Sequence, residues 1–128
     1  MAGALEVVSL PQFRVLVLLS VRGRTRFGAL ADLVGANPST FSRAVDRMVA
    51  GGLVDRSPSP ESRREVLIGL TELGRSLVEE VTSRRRDELS LVLDRLSPSE
   101  QESVRVAMEL FANAAGEPSN HDLLVLGI

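Results

Sequence analysis

The chain has 128 residues and contains no cysteine, tryptophan, tyrosine or lysine. Without cysteine there is no disulfide framework, no thiol redox sensor and no thiolate metal site, and a cytoplasmic setting is expected. Four phenylalanines are the whole aromatic inventory, so any ligand pocket has to be aliphatic rather than built on ring stacking. Long apolar runs are missing as well. Val15 to Leu19 falls far short of the roughly 20 residues that a spanning helix needs, and Met1 to Leu10 lacks the basic start of a signal peptide. No membrane insertion is expected. The single histidine, His121, stands in a polar stretch without cysteine, histidine or paired carboxylates around it, which leaves a metal site unsupported. With no nucleophile–base pair, glycine-rich phosphate loop or carboxylate dyad, the sequence does not read as an enzyme and implies no cofactor.

A hydrophobic content of 44% over 128 residues suits one domain with a modest core. The net charge of −2 conceals a division along the chain. Residues 22 to 64 carry eight arginines against four acids, whereas residues 65 to 128 carry six arginines against twelve acids. A region of +4 is followed by one of −6, and such asymmetry says more about a polyanionic partner than the sum does.

Helix and strand signals place the basic region. Ser9, Pro11 and Gln12 form a capping-box start, and Phe13, Leu16, Val17 and Ser20 continue one face to a stop at Gly23. Thr25 is expected to cap a short second helix with Leu30, Leu33 and Val34 apolar, ending at Gly35. Asn37 and Pro38 open a third helix, in which Phe41, Ala44, Val45 and Met48 share a buried face. Short helix, tight turn and helix is helix-turn-helix spacing. Gly51-Gly52 ends the third helix. Leu53 to Arg56 and Val66 to Leu70 have strand composition, and the Pro58 to Pro60 segment between them is expected to leave the ladder, giving a β-hairpin. Thr71 caps a long helix to about Asp94, with Leu73, Leu77, Val81, Leu89, Val92 and Leu96 as a partial apolar seam. Ser97, Pro98 and Glu100 open a last helix, with Val104, Met108 and Phe111 or Leu110 on one face. These two helices carry more apolar surface than a small domain can absorb, which points to a twofold dimer. Gly116 to Asp122 reads as a turn, and Leu123 to Ile128 as an apolar tail.

The exposed face of the third helix is then Ser39, Thr40, Ser42, Arg43, Asp46 and Arg47. Hydroxyls and guanidiniums are the groups that donate to phosphates and to guanine edges in a major groove. Arg43 and Arg47 lie one turn apart, and Arg63 and Arg64 fall at the hairpin tip. Double-stranded DNA is therefore the expected partner. Arg24 and Arg26 add at most a phosphate contact, because Gly23 between Arg22 and Arg24 is already needed as a helix stop.

From Gln12 to about Ala115 the chain resembles the MarR family of bacterial transcription regulators. The most specific parts are Asn37-Pro38-Ser39-Thr40-Phe41-Ser42-Arg43, Gly52-Leu53-Val54-Asp55-Arg56, and the segment from Pro58 to Arg64 leading to Leu70-Thr71-Glu72-Leu73-Gly74. The resemblance implies a mainly α fold with a small β-hairpin, a winged helix-turn-helix region over residues 10–74, and dimerisation helices and tail in 1–9 and 75–128. It also implies a homodimeric regulator, expected to be a repressor, on a pseudo-palindromic operator, often released by a small anionic or phenolic effector. Two departures stand out. The family's wing commonly has aspartates where this chain has Ser59 and Ser62, so carboxylates that would orient the wing arginines are missing. The family usually has a full N-terminal dimerisation helix where this chain offers Met1 to Val8, so dimerisation is expected to lean on the last two helices and the tail.

Competing readings attach to the same residues. A winged-helix module that binds protein without reading DNA sequence would use the same surface. Arg14 on the first helix reads better as a surface or ion-paired arginine than as a residue reaching an anionic effector, and Arg84-Arg85-Arg86 suits a solvated or dimer-bridging face, with Glu80 one turn before Arg84.

Overall fold

The computed structural model describes residues 9–116. The expectations for Met1 to Val8, for His121 and for Leu123 to Ile128 lie outside the described residues. Within them the chain runs α1 (Leu10–Arg22), β1 (Thr25–Arg26), α2 (Phe27–Val34), α3 (Pro38–Ala50), β2 (Val54–Pro58), β3 (Val66–Leu70), α4 (Glu72–Leu93) and α5 (Pro98–Ala115). The residues group into two compact units, with the division between Glu79 and Glu80. No helix among the described residues is long and apolar enough to cross a membrane.

In the first unit the helix starts follow the capping chemistry. Ser9 Oγ accepts the Gln12 N–H and Gln12 Oε1 accepts the Ser9 N–H, each at 3.3 Å, so two orphan donors of the first turn are satisfied reciprocally. From α1 not only Leu16 and Val17 but also Val15 and Leu19 are buried, a wider face than the periodicity suggests. They meet Leu30 and Ala31 of α2, Phe41, Val45 and Met48 of α3, Leu53 just before β2, and Val54 and Ile68 of the sheet as the buried core of this unit. The Phe41 ring lies 5.2 Å from Phe27, tilted by 39°, an offset geometry that aromatic quadrupoles favour.

Two expectations are corrected here. Thr25 does not cap α2. It opens strand β1, pairing with Ile68 while Arg26 pairs with Leu67, and α2 starts at Phe27 without a side-chain cap. A β-branched residue beside a strand with unpaired backbone groups gains more from the ladder than from a cap. The wing is therefore a three-stranded antiparallel sheet in the order β1-β3-β2, not a bare hairpin. Likewise Pro58 stays in the ladder opposite Val66. It ends an edge strand, where a missing N–H removes no bond from the sheet interior.

Of the paired glycines after α3, Gly51 keeps helical backbone and Gly52, at φ +75°, makes the left-handed turn. Thr71 ties that turn to the next helix, since its hydroxyl donates to the Gly52 carbonyl at 2.6 Å and accepts the Gly74 N–H at 3.0 Å. Along α4, Gly74 and Val78 are buried, whereas Leu73 of the expected seam is 58% exposed. Gly74 is there because a Cβ would stand 2.2 Å from the Leu53 carbonyl oxygen, so this face, one residue round from Leu73, is the one that approaches the sheet.

In the second unit, Glu100 Oε1 accepts the Ser97 N–H at 2.8 Å and Ser97 Oγ accepts the Glu100 N–H at 3.2 Å, the expected capping box of α5. Gln101 Nε2 donates to the carbonyls of Leu93 and Leu96, at 2.7 and 3.3 Å, satisfying acceptors left over at the end of α4. Ala112, not Phe111 or Leu110, is the buried residue of α5. Leu110 is 66% and Phe111 54% exposed.

Candidate nucleic-acid interface

The exposed face of α3 is built from its N-terminus. Asn37 Oδ1 accepts the Ser39 N–H at 2.9 Å and the Ser39 hydroxyl at 2.7 Å. Ser39 thus presents lone pairs outward and keeps its proton, which suits acceptance from a base amino group rather than donation to phosphate. Thr40, Arg43, Asp46 and Arg47 are exposed and Ser42 is half-buried, so the six residues expected on this face are the ones that α3 turns away from the core. Asp46 is engaged by Arg56 of β2.

Behind the same helix lies a largely apolar cavity of about 210 Å³. Val15 of α1, Val34 of α2 and Phe41, Ala44 and Met48 of α3 supply its apolar lining, and Gln12, Arg14 and Thr40 its polar edge.

The wing loop closes without carboxylates. Ser59 is only 8% exposed, and its N–H donates to the Glu65 carbonyl at 3.2 Å. Its hydroxyl accepts the Glu61 N–H at 3.3 Å, and the Ser62 hydroxyl accepts the Arg64 N–H at 3.3 Å. Each serine accepts from the backbone two residues on, the turn that a short polar side chain stabilises. The serines that depart from the family's usual aspartates therefore shape the loop backbone, and they leave Arg63 and Arg64 exposed at its tip without carboxylate partners.

Arg24 and Arg26 are placed differently from the tip arginines. Arg24 Nη2 lies 2.6 Å from Asp55 Oδ1 and its Nη1 donates to Ser57 Oγ at 3.0 Å, while Arg26 Nη1 lies 3.3 Å from Glu65 Oε1. With Arg56 on Asp46, three arginines of the basic region are committed to carboxylates. Arg22, Arg43, Arg47, Arg63 and Arg64 have no ion-pair partner among the described residues. The net charge of the region is thus concentrated on the outer face of α3, the wing tip and the end of α1. Sequence reasoning did not find the Arg24–Asp55 and Arg56–Asp46 pairs. The one local signal for the first was a glycine, Gly69, inside an otherwise apolar strand, where glycine marks a close approach.

Known proteins share this arrangement. The sequence model of the MarR family matches residues 8–66, from before α1 to the start of β3. The HTH-type transcriptional regulator YfiV of Bacillus subtilis, uncharacterised by its own description, is 32% identical over 107 residues, covering 84% of this chain and 67% of that protein. The HTH-type transcriptional repressor IacR of Pseudomonas putida is 32% identical over 80 residues, 62% of this chain and 48% of that protein. The crystal structure of RV1404 from Mycobacterium tuberculosis superposes with a TM-score of 0.83 at 40% identity, over 92% of this chain and 82% of that one. A capped helix with an exposed basic face, a three-stranded wing with free arginines at its tip and two following helices, in this order and at this level of similarity, make the chain a member of the MarR family of DNA-binding transcription regulators.

Proposed function

We propose that this chain is a homodimeric repressor that reads a pseudo-palindromic operator from the cytoplasm. In this reading α3 enters the major groove with Ser39, Thr40, Ser42, Arg43 and Arg47, and Arg63 or Arg64 works from the wing. The observation that carries it is the sorting of the arginines: those of the outer α3 face and wing tip are free, while Arg24, Arg26 and Arg56 are neutralised by carboxylates. Affinity then comes largely from phosphates and specificity from a few base contacts. A repressing role is supported by the similarity to IacR.

Dimerisation is supported by apolar side chains on α4 and α5. Leu91, Val92, Leu110 and Phe111 are all more than half exposed in the single chain, which is surface that a soluble protein ordinarily covers. A twofold pair of reading helices about 34 Å apart would match half-sites one helical turn apart. An effector is supported by the cavity behind α3. A small aliphatic or aromatic acid would place its body against Val15, Phe41 and Met48 and its charge toward Arg14, pressing on the helix that carries Thr40.

Selection of duplexes from a random-sequence library with the purified protein tests the reading. Recovery of a two-part site, bound with a steep salt dependence, is the expected result. Anisotropy titrations that find no salt-dependent binding to any selected duplex would exclude it, and sedimentation showing only monomer at micromolar concentration would exclude the dimer.

A further inference from the structure

We infer that Arg24 is a positioning residue for the wing, a latch that crosses the sheet at Gly69 to hold β2 and does not itself touch DNA. The inference rests on the DNA-binding reading for its consequence, but the latch is a property of the free protein.

Arg24 directly precedes β1, whose Thr25 pairs with Ile68 of the central strand. The next residue of that strand, Gly69, pairs on its other side with Asp55 of β2. Arg24, Gly69 and Asp55 therefore stand in one row across the three strands. The guanidinium passes over the row where no side chain stands, since a Cβ at Gly69 would lie 2.6 Å from both Arg24 Cζ and Nη1. Beyond it the two guanidinium nitrogens take Asp55 and Ser57, residues two apart and so on one face of β2. Asp55 Oδ1 faces the guanidinium at 2.6 Å in a pair whose side chains are both nearly half exposed, and the guanidinium itself is what covers that oxygen. A phosphate that recruited Arg24 would have to break its contacts to both Asp55 and Ser57, which is the physical argument against a DNA contact. Past Pro58 the chain enters the loop that carries Arg63 and Arg64, so the direction of β2 sets where those arginines arrive. Arg26 holds the other root of the loop through Glu65.

Two substitutions on different elements should act alike. Arg24→Ala deletes the guanidinium. Gly69→Ala evicts it, because the atoms in the way, Cζ and Nη1 at 2.6 Å and Cγ at 3.0 Å, all belong to the flexible Arg24 side chain and Gly69 has no left-handed backbone to lose. The probe is a duplex selected by the wild-type protein, titrated by anisotropy over a range of salt. Each variant should bind about fivefold more weakly, the weight of an exposed ion pair. The log–log salt slope should stay at the wild-type value, because no phosphate contact is lost, and the double variant should be no weaker than either single one. In the free protein, amide exchange should accelerate across residues 57 to 66 and stay unchanged in α1. A salt slope flattened by about one in Arg24→Ala with Gly69→Ala unaffected would make Arg24 a phosphate contact and overturn the inference. Unchanged exchange in the wing of both variants would overturn it too, and that measurement decides the matter even if the wild-type protein selects no duplex.

Discussion

Arg56 on β2 donates to Asp46 on α3, fastening an edge strand of the wing to the basic helix through two exposed side chains. Asp46 is the only acid on the outer face of that helix, set between Arg43 and Arg47. Asp46→Ala therefore removes a tie and frees a cation at once. Exposed pairs contribute little, so stability should fall by less than about 1 kcal/mol in a thermal melt. Binding to an unselected duplex should tighten at low salt, with a steeper salt dependence and poorer discrimination between selected and scrambled duplexes. Weaker binding to both duplexes would show that the tie matters more than the charge.

The free arginines divide into two expected behaviours. If α3 enters a major groove as proposed, the exposed Arg43 on the middle of the helix meets a base edge, and Arg43→Ala should cost about 1–3 kcal/mol on the selected duplex with little change on a scrambled one. Arg64→Ala, at the wing tip, should weaken all duplexes alike and lower the salt slope by about one if Arg64 meets a phosphate. Titrating both variants against both duplexes separates the behaviours, and identical losses for the two variants would contradict this division.

Much of this was legible in the sequence because it depends on residues within one or two helical turns. The caps at Ser9, Asn37, Thr71 and Ser97 and the outer face of α3 are local patterns, and the structure places each as expected. What the sequence hid depends on pairing at a distance. Thr25 reads as a cap until β3 stands beside it, and Arg24 reads as a spare cation until Asp55, thirty-one positions on in the numbering, is brought across Gly69. The seam of α4 failed for a related reason. Leucines mark a face by periodicity, but the close approach to the sheet is made by the residue with no side chain, Gly74.

Two glycines near each other in sequence should therefore respond oppositely to alanine. At Gly74 the added Cβ would meet the Leu53 carbonyl oxygen at 2.2 Å and Leu70 Cδ1 at 2.8 Å, and a backbone carbonyl cannot step aside as a side chain can. Gly74→Ala should destabilise the protein by roughly 1–3 kcal/mol, the range for forced overpacking. Gly69→Ala displaces only the flexible Arg24 side chain, and no backbone atom, and should melt close to the wild type. Calorimetry or a denaturant titration checks the pair, and equal melting temperatures for the two variants would refute the argument.

Acid should loosen α5 in a way that one residue controls. Hydrogen bonding with Ser97, from its backbone N–H first and its side chain second, holds the Glu100 carboxyl below the usual carboxylate value of 4.5. A group whose value is lowered on folding adds stability above its unfolded value and loses it as the pH falls through the folded one. The capping box should thus be intact at neutral pH and fail below the ordinary carboxylate range. Glu102 shares the sign, lowered chiefly by its hydrogen bond from Arg105. Glu100→Gln keeps an acceptor at the same position but does not titrate, so the difference between its stability and that of the wild type should narrow as the solution is acidified. Ser97→Ala, by contrast, should lose roughly 1 kcal/mol at neutral pH, where the cap is whole. Circular dichroism at 222 nm, followed in denaturant titrations from pH 7 to pH 3, measures both. A wild-type minus Glu100→Gln difference that stays constant over that range would show that the carboxylate contributes nothing to the helix start.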